Sequence, residues 1–99
     1  MAKSPVAKRL KEARLAAGLS QKSLGIAAGI DEFSASPRMN QYETGKHVPD
    51  YSTLSLIAKI LKVPVAYFYA DSDELAKFIS IFARLNKSDK SKFLTVINK

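Results

Sequence analysis

The sequence predicts an all-α fold, and three features of its patterning carry that expectation. Apolar residues recur at three- and four-residue spacing, as in Val6, Leu10, Ala13 and Ala17, which stacks them on one helical face. No stretch shows the sustained apolar–polar alternation of a half-buried strand. Helix punctuation also repeats: Ser20 opens a segment that Gly29 closes, and Ser36-Pro37 opens another that Gly45 closes.

Composition narrows the class. The 99 residues suffice for one small domain and not comfortably for two. A hydrophobic content of 46% is ordinary for a globular chain and excludes a disordered tail. Without cysteine there is neither a disulfide frame nor a cysteine-based metal site, and a cytoplasmic location is expected. The first residues, MAKSPVAKRLKEAR, carry charges but no apolar core of signal-peptide length. No apolar run approaches a membrane span. The net charge of +7 and pI near 9.8 favour a polyanionic partner. Nucleic acid is the first candidate and anionic lipid the second; a merely solubilising surface is the plain alternative.

In chain order, residues 4–17 read as the first helix, with Ser4 as cap and Pro5 in the first turn. Lys8, Arg9, Lys11 and Arg14 fall mostly outside its apolar stripe, as a solvated face would. Gly18 closes the helix and Leu19 turns inward. A second helix runs from about Gln21 to Ala28, with Leu24 and Ala28 facing in and Ile30 returning to the core after Gly29. Residues 31–35 form a long turn: either Asp31 caps a short helical turn with Glu32 and Phe33, or a helix begins at Asp31 and kinks at Pro37. The break is preferred, since an interior proline costs about 3 kcal/mol. Phe33 is then a core residue or an apolar wedge touching DNA. The third helix spans 36–44, with Met39 and Tyr42 on one face and Arg38 and Gln41 on another. Pro49 and Asp50 start a fourth, with Leu54, Ile57, Ala58 and Leu61 buried. Val63-Pro64 launches a short fifth helix, residues 65–69.

The remainder differs in kind. Asp71, Ser72, Asp73 and Glu74 place negative charge at a helix start, and Leu75, Phe78, Ile79, Phe82 and Leu85 follow as an apolar stripe. Ser88 can cap a last helix bearing Phe93, Leu94, Val96 and Ile97. These faces either fold back onto the first five helices or pair with a second copy. An exposed stripe of that size is a liability unless covered, and pairing is the sharper reading.

Helix, glycine turn and helix over Ser20 to Lys46 form the pattern of a helix-turn-helix, whose second helix enters the DNA major groove. Several residues extend the match: Arg14, Gly18-Leu19-Ser20-Gln21, Leu24, Ala28-Gly29-Ile30 and Gln41-Tyr42-Glu43-Thr44-Gly45-Lys46. Pro49, Leu54, Ile57-Ala58, Leu61 and Val63-Pro64 continue it. In this order they resemble the phage Cro and repressor-like regulators of the XRE type, over residues 6–69. The segment between Gly29 and Met39 is a few residues longer than that family usually has, and Lys62 stands where it often has glycine. The resemblance implies a five-helix lambda-repressor-like DNA-binding domain, residues 1–70, and leaves outside it the two additional C-terminal helices, residues 71–99, which read as a dimerisation element. It also implies that the first helix borders the DNA, that Gly25 is a packing residue between helices two and three, and that Arg14 pairs with Glu43.

Side-chain chemistry then sorts the candidate DNA-binding residues. Arg38 offers a bidentate contact to guanine or a phosphate contact, and Asn40 or Gln41 a bidentate contact to adenine. Gln21 and Lys22 lie at a helix start suited to phosphate, although Gln21 can equally assist capping. Ser34 and Ser36 suit phosphates and capping, Thr44 ends the third helix, and Lys46 and His47 flank the groove as phosphate donors. Together these imply sequence-specific binding of double-stranded DNA and regulation of transcription by repression, by a homodimer on a near-palindromic operator. The alternative is a helical adaptor or antitoxin-like module that binds protein. An enzyme, a cofactor and a metal are not expected, given one loop histidine, no glycine-rich phosphate loop and no carboxylate cluster beyond the capping run. A membrane partner is not expected either. With no sensor domain in view, control through protein level or a protein partner is expected.

Overall fold

The computed structural model describes residues 4–98 and is helical throughout. Its order is α1 (Val6–Ala16), α2 (Gln21–Ala27), α3 (Glu32–Thr44), α4 (Tyr51–Leu61), a 3₁₀ helix (Val65–Tyr69), α5 (Asp73–Arg84) and α6 (Lys87–Ile97). Side-chain caps set most of the starts: Ser20, Asp31, Asp50, Ser72 and Asn86 each accept a backbone N–H from their own first turn. Leu10, Leu24, Met39, Leu54, Ile57 and Phe68 are fully buried, so α1 to α4 each supply the core and the 3₁₀ helix seals it. Leu19 and Ile30 pack against its edge.

Helices α2 and α3 approach most closely at Gly25, where an added Cβ would lie 2.7 Å from the Ala35 Cβ. Only glycine fits that seat. This contact corrects the expected start of the third helix. No break occurs at Ser36-Pro37; α3 begins at Glu32, capped by Asp31, and Pro37 lies inside it. Pro37 forfeits the bond to the Phe33 carbonyl, yet the earlier start buries Ala35 completely against α2 and gains the Asp31 cap. Tertiary packing outweighs the local signal. Ser36 is therefore a mid-helix residue and not a cap.

Three further expectations change. The fifth helix is a 3₁₀ turn of five residues. The last helix is capped by Asn86, two residues before Ser88. Arg9 is buried, not part of a solvated face: its guanidinium donates to the Ala70 carbonyl at 3.0 Å, to Asp73 at 2.8 Å and to Glu12 at 3.1 Å. Lys8 and Lys11 remain exposed. Lys62 adopts the left-handed conformation, φ 59°, that ends α4.

The last two helices pack lightly. Ala76 is the buried residue of α5, which rests against the 3₁₀ helix, and no residue of α6 is buried. Phe78, Phe82 and Phe93 join the two helices, with ring centroids 5.6–6.1 Å apart.

Candidate nucleic-acid interface

Helix α3 is fixed by a polar network at its C-terminal end. Arg14 grips Glu43 with two parallel hydrogen bonds: Nη2 donates to Oε1 at 2.9 Å, and Nε donates to Oε2. A third Arg14 nitrogen donates to the Leu19 carbonyl at 2.9 Å, tying the turn before α2 into the same group. Gln21 completes it, its amide donating to Glu43 at 3.1 Å and to Asn40 at 3.3 Å. The Arg14 and Glu43 side chains are only 10% and 2% exposed, so the pair is nearly dry. The hydrogen bond to Glu43 raises the Arg14 pKa against the opposing effect of burial. The carboxylate is thus neutralised internally, which answers the oddity of an acid on this helix.

With that end fixed, the helical repeat decides what faces out. Ala35, Met39 and Tyr42 are buried. Phe33, Pro37, Asn40 and Thr44, spaced i, i+4, i+7 and i+11, form an exposed row on the opposite side. Arg38 and Gln41 flank that row and line a shallow concavity with His47, Asp50 and Thr53. Asp50 is committed to capping α4, and its bond from the Thr53 N–H lowers its pKa. Lys22 and Lys46 are exposed at the margins.

The expected residues do not all share one surface. Arg38, Gln41 and His47 come together at the concavity, while Asn40 lies on the outward row and accepts from Gln21 on its far side. The Gln21 amide is engaged with α3 and not with its own helix start. Ser34 and Ser36 are half-buried, and the Thr44 hydroxyl donates to the Gln41 carbonyl at 3.3 Å. Phe33, expected in the core or as an apolar wedge on DNA, is exposed and not in the core, and with Pro37 it occupies the leading half of the outward row. The signal was available: once Ala35, Met39 and Tyr42 form one buried face, Phe33 must point away from it. Among the described residues, no three His, Cys, Asp or Glu side chains are grouped to hold a metal ion. Among the same residues, no helix is long and apolar enough to cross a membrane.

Four helices around one core, with an anchored third helix presenting an exposed face, define a helix-turn-helix domain. Residues 6–67 match the helix-turn-helix domain family, and the chain belongs to it. Its structure is similar to the crystal structure of the transcriptional regulator BswR, with 47% sequence identity and a TM-score of 0.89. That likeness covers 93% of this chain and 91% of BswR, so it takes in the last two helices as well as the family domain. No curated protein sequence matches the chain.

Proposed function

We propose that this protein is a cytoplasmic, sequence-specific double-stranded DNA-binding regulator of the XRE type, acting as a homodimer on a near-palindromic operator. The observation that carries the reading is α3 itself. It is locked at one end by Arg14 and Glu43, and its free side offers Arg38, Asn40 and Gln41, whose side chains can form hydrogen bonds with base edges. The net charge of +7 supplies the non-specific attraction to phosphate, with Lys22, Lys46 and His47 exposed for backbone contacts. The similarity to BswR, a transcriptional regulator, supports the regulatory role.

Repression by occluding a promoter is the simplest use of such a module, because DNA binding alone suffices for it. The tail supports the dimer. Leu94, Val96 and Ile97 are exposed on α6, and Leu75, Phe78 and Ile81 on α5, which leaves an apolar surface that a second copy would cover. Two-fold pairing would place two α3 helices about 34 Å apart, one DNA turn.

Selection of bound sites from a random DNA pool tests the reading. The expected product is one enriched motif arranged as two inverted half-sites, with affinity falling steeply as salt rises. A pool that gains no motif, together with salt-insensitive binding, would leave the adaptor reading standing.

A further inference from the structure

We propose that Phe33 is a specificity-determining residue that reads the C5-methyl group of thymine in the major groove. This inference rests on the proposed DNA-binding role. Phe33 is 84% exposed, more than any other large hydrophobic residue on the described surface. One exposed apolar side chain means little by itself. Its position gives it meaning. It stands in the first turn of α3, on the same outward row as Asn40 and Thr44, with exposed Pro37 one turn behind it. The two rings make the leading half of the outward row apolar and the trailing half polar.

Charge fixes where that leading half can go. The cap and first turn read Asp31, Glu32, Phe33 and Ser34, with two carboxylates and no basic residue. Such a turn is repelled by phosphate and cannot rest on the DNA backbone. It fits between the backbones, where the groove floor presents base edges. Among those edges the thymine methyl is the one apolar group. A phenylalanine ring has no hydrogen bond to offer, so its discrimination there falls on the methyl. Arg38 and Gln41 on the flank carry the hydrogen-bonded part of the readout. The start of α3 at Glu32 is what brings Phe33 into play, because a helix starting at Ser36 would not contain it.

The test uses the full chain and the site obtained by selection. Each thymine of that site is replaced in turn by deoxyuridine, which removes the methyl and leaves every hydrogen-bonding group in place. At one or two positions per half-site, binding should weaken about fourfold, the worth of one buried methyl-sized group. Phe33→Ala should bind the thymine and uracil versions equally, at the weaker level. Phe33→Leu, still apolar, should keep part of the difference. Phe33 is at the surface, so these variants should keep the circular dichroism and melting temperature of the parent. The proposal is overturned if the parent protein is indifferent to every replacement, or if Phe33→Ala discriminates as the parent does. It is equally overturned if Phe33→Ala leaves DNA affinity intact but changes the sedimentation of the protein, since Phe33 would then be a protein contact. If selection yields no site at all, the DNA-binding reading itself fails, one step earlier.

Discussion

Residues 6–69, the head, bury a shared core, whereas residues 71–98, the tail, bury only Ala76 among the described residues. In the head, Leu10, Leu24, Met39, Leu54, Ile57 and Phe68 are removed from water entirely. In the tail, Leu75, Phe78, Ile81, Leu94, Val96 and Ile97 remain exposed, and a cleft of about 710 Å³ stays open between α1, the end of α4 and α5. The tail is held at its start by polar contacts: Arg9 is clamped between the Ala70 carbonyl and Asp73, and Lys8 reaches the same Asp73 carboxylate at 3.0 Å. Changes at the head's buried residues should therefore be read in stability. With the tail's exposed faces paired against a second copy, as proposed, changes there should be read in association.

The largest effect is expected at Arg14 and Glu43. Removing one member of a pair this dry strands the other, and Arg14→Ala should lower the unfolding free energy by about 3–5 kcal/mol. The double variant should lose less than the sum of the two single ones. Denaturant melts of the four proteins check this, and strict additivity would mean that the pair is not coupled in solution.

Phe82→Asp should do the reverse. It places a carboxylate in the cluster with Phe78 and Phe93, yet touches none of the head's buried side chains. Sedimentation should show a folded monomer whose melting temperature stays close to that of the parent. If the melt collapses with no prior change in mass, the tail belongs to the monomer's own core and the contrast between the two regions disappears.

A smaller effect is expected from pH. The hydrogen bond from Arg9, and then that from Lys8, hold the Asp73 carboxyl below its ordinary value. A depressed carboxylate contributes stability above its unfolded pKa of about 3.9, and loses it as pH falls through the lower folded value. The protection of amides over residues 72–76, relative to their intrinsic exchange at each pH, should therefore fall as pH drops below about 4, and Asp73→Asn should remove that dependence. Protection that ignores pH in the parent would mean that Asp73 does not hold the tail.

Helix periodicity, caps and the glycines of the first turns made α2 and α4 readable, because each packs the face its own spacing prescribes. Helix α1 buries Val6, Leu10 and Ala13 as its spacing prescribes but leaves Ala17 exposed and takes in Arg9 and Arg14. The start of α3 was not readable locally. Ser36-Pro37 carries a strong start signal, and only the seat that Gly25 offers Ala35, a contact between two helices, overrides it. Asn86 and Ser88 are both good caps two residues apart, and the sequence has no means of ranking them. Arg9 was within reach: it sits three residues after Val6, on the apolar stripe, but its partners Ala70 and Asp73 lie some sixty residues away. The misplaced start of α3 left Phe33 between two alternatives, core or wedge, because only a helix beginning at Glu32 sets it on the outward row. Arg14 and Glu43 came from resemblance, since nothing in their spacing pairs them.

The most direct measurement is the affinity of Arg38→Ala and Gln41→Ala for the selected site and, in parallel, for random DNA of equal length. Loss of a base contact should cost about 1–3 kcal/mol on the selected site and far less on random DNA. Lys46→Ala, changed at a backbone contact, should weaken both alike and reduce the salt slope by about one. If Arg38→Ala and Gln41→Ala weakened both kinds of DNA equally, the outward face of α3 would not be reading sequence.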